Sequence, residues 1–128
     1  MKLNIKAIHH IELTVLNLAQ SKEFYNKLLG FKIVAEYPNF VMFCIEDFYL
    51  GLTDHKRQIK EKKFNEFNVG IDHVSFEVNS KEDLTKAIIW FDQNNIVHGE
   101  IKKLSNNLYV LAFRDPDNIQ LELAYKEK

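Results

Sequence analysis

A chain of 128 residues with 46% hydrophobic side chains fits one ordinary domain and can bury a core without staples. Seventeen Lys and Arg against eighteen Asp and Glu leave a net charge of -1, which excludes the electrostatic footprint of a nucleic-acid binder or a membrane-surface protein. A single cysteine, Cys44 in "FVMFCIE", excludes an internal disulfide and reads as a small core thiol; with no apolar segment of signal or membrane-spanning length, the expectation is a cytoplasmic protein.

The first predicted element is the strand in "IHHIELTV", residues 8–15, where Ile11, Leu13 and Val15 alternate with polar positions. Asn17 then caps a helix over "LAQSKEFYNKLLG", with a stripe of Phe24, Leu28 and Leu29 and Gly30 as its stop. Three strands follow, "FKIVAEY", "FVMFCIE" and "FYLGLTD", separated by Pro38-Asn39 and Glu46-Asp47. The basic run "HKRQIKEKK" at 55–63 alternates with polar residues and reads as solvated linker.

The second half repeats the first. "IDHVSFEV" at 71–78 matches "IHHIELTV", His73 standing 63 positions after His10. Ser80 and Asp83 open a second helix with a stripe of Leu84, Ala87, Ile88 and Phe91, and "VHGEIKKL", "NLYVLAF" and "IQLELAY" supply three more strands. The fold class is therefore α+β: two βαβββ modules, residues 1–54 and 70–128, joined by a linker at 55–69, forming one cupped mixed sheet.

One helix per four strands leaves one face of each sheet uncovered, so two modules side by side curl around a shared cavity. Side chains alternate along a strand. If Ile11, Leu13 and Val15 pack under the helix, then His10, Glu12 and Thr14 face the cavity, and so do His73, Ser75 and Glu77. In the last strand Ile119, Leu121 and Leu123 are the apolar set, which turns Gln120 and Glu122 to the cavity. His9 has the opposite parity and belongs to core or rim. His98 has no nameable partner and reads as surface.

The pattern "HHIELTVLNLAQSKEFYNKLLGF", followed by "GIDHVSFEV" and "FRDPDNIQLEL", resembles the vicinal oxygen chelate superfamily of glyoxalases, extradiol dioxygenases, fosfomycin-resistance enzymes and bleomycin-binding proteins. The resemblance covers nearly the whole chain and implies the same paired βαβββ fold. It implies a divalent metal, Fe, Mn, Ni or Zn, held by His10 and His73 from the first strand of each module and by Glu122 from the last strand of the second. Gly51 stands where glyoxalase-like members place a fourth ligand, a carboxylate. His55, on the parity of Gly51, is a candidate for a further contact.

Extradiol members add a histidine where this chain has Phe48 and Tyr49, so the likeness to that branch is incomplete. Glu77 is the candidate general base beside a metal-polarised substrate, and Tyr49 a candidate hydrogen-bond partner for a substrate oxygen; Tyr109 offers the same contact, against the commoner core role of strand aromatics. Glu12 reads as a plain surface carboxylate. The resemblance implies a metal-dependent enzyme acting on a small oxygenated molecule by bidentate chelation. The alternative is a metal-free binding or sequestering protein of the bleomycin-resistance type. In that family modules close on each other within one chain or exchange with a partner's, so the resemblance leaves a homodimer open.

Overall fold

Two capped helices, each following a short strand, set the frame of the computed structural model, which describes residues 2–128. In chain order it has β1 (His10–Thr14), α1 (Leu18–Glu23) running on as a π-helical turn (Phe24–Leu28), β2 (Lys32–Tyr37), β3 (Phe40–Ile45) and β4 (Phe48–Thr53). The second set is β5 (Val74–Glu77), α2 (Lys81–Gln93), β6 (Lys102–Lys103), β7 (Leu108–Arg114) and β8 (Gln120–Lys126). The sheets have strand orders β1-β4-β3-β2 and β5-β8-β7-β6, the same order twice. In each, the first strand runs parallel to the last and the other pairings are antiparallel. The chain divides into two compact units, one ending at Lys60 and one beginning at Glu61.

In the first unit Asn17 accepts a hydrogen bond from the Gln20 N–H at 3.0 Å, satisfying one of the orphan donors of α1. The π-helical turn widens the helix: Leu29 N–H reaches the Phe24 carbonyl at 3.1 Å and Phe31 N–H the Tyr25 carbonyl at 3.0 Å. The buried stripe is therefore Ser21, Phe24 and Tyr25, while Leu28 and Leu29, expected inside on a regular helical period, are only half-buried. Gly30, at φ +80°, turns the chain out of the helix. Beneath lie Val41, Phe43, Leu50 and Leu52, fully buried, with the Tyr25 and Phe43 rings 6.1 Å apart.

In the second unit Ser80 and Asp83 form a reciprocal capping box at the start of α2. Leu84 and Phe91 are buried against the sheet, the Phe91 ring 4.6 Å from that of Phe113, with Leu111 and Leu121 completing the core. Each such side chain contributes about 1.5–3 kcal/mol by leaving water. The expected strand over "VHGEIKKL" is interrupted: only Lys102–Lys103 is regular, with a bridge between His98 and Phe113 and a bond from Gly99 N–H to the Ala112 carbonyl. His98 is tied down at this point. Its Nε2 meets Asp92 Oδ1 at 2.6 Å and its Nδ1 meets the Gly99 carbonyl at 2.6 Å, which corrects the reading of His98 as a surface residue without a partner. The Gly99 carbonyl and then Asp92 hold its pKa above the ordinary histidine value.

Residues after Lys60 are tied to the turn before β8. Phe64 N–H donates to the Asp117 carbonyl at 2.8 Å, Asn118 Nδ2 donates to the Phe64 carbonyl at 3.0 Å, and Arg114 grips Glu66 through both nitrogens at 2.8 and 2.9 Å. The Arg114 hydrogen bonds, aided by a backbone N–H, lower the Glu66 pKa from 4.5 to about 2. A depressed folded-state pKa contributes stability above the unfolded value, and that contribution is lost as pH falls. Protection factors at residues 64–68, corrected for the intrinsic fall of exchange rate with pH, are therefore expected to drop between pH 4.5 and about 2, more than those at β7. Equal protection across that window would show that the ion pair does not anchor the segment. No helix among the described residues is long and apolar enough to cross a membrane.

Candidate metal centre

The parallel pairing of first and last strand places specific side chains next to one another on the face away from each helix. In the second unit Ser75 is opposite Glu122 and Phe76 opposite Leu123. Because Leu121 is buried under α2, Glu122 must point to the open face, where its side chain is 18% exposed. His73, immediately before β5, reaches the same place: its Nε2 is 3.8 Å from Glu122 Oε1.

Three neighbours orient this pair. His73 Nδ1 lies 2.7 Å from Asp72 Oδ1, and an ionised carboxylate can only accept, so Nδ1 carries the proton. In the neutral ring Nε2 is then a bare lone pair directed at a second carboxylate. Ser75 Oγ donates to Glu122 Oε1 at 2.8 Å, and Gln120 Nε2 donates to Asp72 Oδ1 at 2.9 Å. A carboxylate behind the histidine and a hydroxyl behind the glutamate are the supports that metal ligands require. Two donors each about 2.1 Å from one ion stand about 3.0–3.4 Å apart, so the 3.8 Å pair needs only a small closure to share one. An imidazole nitrogen and a carboxylate oxygen are two donors of the kind divalent cations take.

In the first unit His10 is opposite Tyr49 and Glu12 opposite Gly51 on the face away from α1. His10 Nε2 is 3.6 Å from Glu12 Oε1, and Thr53 Oγ1 donates to Glu12 Oε2 at 3.2 Å. His9 is at the rim, exposed, with its Nδ1 2.8 Å from His10 Nδ1 and its ring stacked on Tyr49 at 5.8 Å. Among the described residues no three His, Cys, Asp or Glu side chains gather around one point. The donors occur as these two pairs.

The other candidates fall as follows. Tyr49 shares the face of His10 and is partly exposed; Glu77 shares the face of Ser75, opposite Ala124. His55 is exposed beyond β4, heading a short 3-10 turn at Lys56–Gln58. Tyr109 is on the helix side, buried beneath Lys81 with the ammonium 4.5 Å from the ring centre, so it does not share the face of Glu122. Cys44 is not a core thiol: its register with Tyr49 puts it on the open face, half-buried, where Sγ meets the Glu46 carbonyl at 3.0 Å. Sequence reasoning missed Asp72 and Thr53, and placed Gln120 on the open face without giving it a role. Only Asp72 had a signal, a carboxylate directly preceding the histidine.

A twice-repeated βαβββ unit with a histidine at the head of each first strand and a glutamate on the last defines the class. Residues 7–123 match the Glyoxalase/Bleomycin resistance protein/Dioxygenase superfamily, and the chain belongs to that family. It is 31% identical over 121 residues to the metallothiol transferase FosB of Staphylococcus epidermidis, across 93% of this chain and 83% of that protein. Among solved structures it resembles a glyoxylase/bleomycin resistance protein/dioxygenase domain from Frankia sp. EAN1pec, with a TM-score of 0.84 and 26% identity over 97% of this chain and 100% of that one. A lactoylglutathione lyase from Agrobacterium tumefaciens shares the fold at a TM-score of 0.76 and 22% identity, over 96% of each chain.

Proposed function

We propose that the protein is a divalent-metal-dependent enzyme of the glyoxalase type, acting on a small oxygenated molecule, with His10, His73 and Glu122 as metal ligands. The observation that carries this reading is the His73 imidazole held between two carboxylates, its Nδ1 2.7 Å from Asp72 and its Nε2 3.8 Å from Glu122. His10 supports it by standing at the repeat-equivalent position in the first module. A bound divalent ion would supply Lewis-acid polarisation of two neighbouring substrate oxygens. The chain's own groups do the rest. Asp72 holds the His73 ring, Ser75 fixes Glu122, Tyr49 hydrogen-bonds a substrate oxygen, and Glu77 takes or returns a proton at the substrate.

The relatives named metallothiol transferase favour one reaction type within this reading, transfer of a thiol to the small oxygenated substrate. The test is metal analysis of freshly purified protein, prepared with and without oxygen, followed by titration of the stripped protein with Mn(II), Ni(II) and Zn(II). Near-stoichiometric uptake is expected. Asp72→Ala should weaken it by about 10- to 100-fold, since the ring loses the partner that fixes its orientation. No uptake by the unmutated protein would favour a metal-free sequestering module instead.

A further inference from the structure

Within the second unit, the open face carries a chain of hydrogen bonds whose direction is forced. It starts at Arg114, which has donors and no acceptor. The guanidinium grips Glu66 through both nitrogens and donates to the Asn118 carbonyl at 3.2 Å, so it is a fixed head rather than a swinging surface side chain. Gln120 stands opposite Arg114 in the pairing of β7 with β8, with its Oε1 3.4 Å from Arg114 Nη2. The other end of that amide, Nε2, donates to Asp72 twice, to Oδ1 at 2.9 Å and to the backbone carbonyl at 3.2 Å.

A flipped Gln120 would set its amide nitrogen against a guanidinium and its oxygen against two acceptors, so the side chain has one orientation. The Gln120 N–H keeps Asp72 Oδ1 an acceptor, and the same oxygen lies 2.7 Å from His73 Nδ1. The proton of that contact therefore belongs to Nδ1, and in the neutral ring Nε2 is the free nitrogen.

The first module lacks this chain. Glu12 opposite Gly51 corresponds to Ser75 opposite Glu122; two positions back on the last strand Tyr49 corresponds to Gln120, and across the hairpin Cys44 corresponds to Arg114. His9 then stands where the second module has Asp72. Its Nδ1 meets His10 Nδ1 at 2.8 Å, and a ring nitrogen can donate or accept, so this contact suits either tautomer of His10.

We infer that Gln120, held by Arg114, is a positioning residue that fixes through Asp72 which nitrogen of His73 is free, a control that His10 lacks. Its consequence for binding rests on the metal reading above, whereas the ring tautomer itself does not.

The test is proton–nitrogen correlation spectroscopy of the histidine rings in labelled, metal-stripped protein at about pH 8.5, where an ordinary imidazole is neutral. Thermal melting and Ni(II) titration of the same samples accompany it, and His73→Ala and His10→Ala assign the signals. Unmutated His73 should show a single tautomer protonated at Nδ1. Gln120→Glu, which keeps the shape and removes the donor, and Gln120→Met should each spread His73 over both tautomers while the melt and the His10 pattern stay nearly unchanged. Gln120→Met should also weaken Ni(II) binding a few-fold, less than the about 10- to 100-fold expected for Asp72→Ala. A single tautomer that persists in both Gln120 variants, a mixture already present in the unmutated chain, or equal changes at His10 and His73 would overturn the inference. Absence of Ni(II) uptake by the unmutated chain would sink the metal reading alone, because the ring pattern is read without metal.

Discussion

His73→Ala, Glu122→Ala and His10→Ala are each expected to abolish most divalent-metal uptake while leaving the fold intact. The expected loss exceeds the about 10- to 100-fold that follows removal of an outer partner such as Asp72, because a donor atom itself is removed. The fold should survive because all three side chains are on the open faces, where they are substantially exposed or half-buried, and none contributes to the core beneath the helices. His98→Ala is the control, a histidine bound to Asp92 and Gly99 within the second unit. It breaks the contacts to Asp92 and Gly99, so it should perturb the 97–103 segment without changing metal affinity. His9→Ala is an intermediate case: its contact with His10 Nδ1 makes it an orienting neighbour, and a modest loss is expected. Titration of the five variants with far-UV circular dichroism separates these outcomes. Equal losses from His98 and His73 would mean that uptake is nonspecific.

Much of this arrangement was legible in the sequence because alternation along a strand fixes faces without any knowledge of tertiary structure. Ile11, Leu13 and Val15 against His10, Glu12 and Thr14 sort as expected, and the repeat of the pattern at Val74 to Glu77 carried the fold. The helix caps at Asn17 and Ser80 were legible for the same local reason. What escaped was everything set by register between strands. That Glu12 stands over a glycine depends on which residue of β4 lies beside it, and nothing in "HIELT" or "FYLGLT" alone specifies the pairing. Tyr109 follows the commoner role of strand aromatics: it is buried, paired with Tyr125 on the helix side and covered by Lys81 from α2. Cys44 was misjudged because apolar neighbours on both sides in "FVMFCIE" hid the alternation. Phe43 is fully buried and Cys44 is not.

Phe43→Ala and Phe113→Ala are expected to destabilise the protein by about 3–5 kcal/mol each, the range for removing a buried aromatic ring from a packed core. Phe43 is fully enclosed, with the Tyr25 ring at 6.1 Å and the Phe31 ring at 6.4 Å, and the Phe113 ring lies 4.6 Å from that of Phe91, tilted by 30°, beneath α2. Neither site can collapse easily, since each ring is held between a helix and a sheet. Glu77→Gln, on the exposed side of β5, should by contrast change stability by no more than about 0.5 kcal/mol, as surface substitutions usually do. Urea unfolding followed by fluorescence and circular dichroism gives both numbers from the midpoint, provided the slope is unchanged. The contrast is a direct reading of the division of labour between faces. Phe113 is opposite Leu121, adjacent in sequence to Glu122, so the strand that presents the carboxylate outward is held in place by what it buries inward. A loss below about 1 kcal/mol for Phe113→Ala would mean that this face does not bear the packing, and the outward orientation of Glu122 would fall with it.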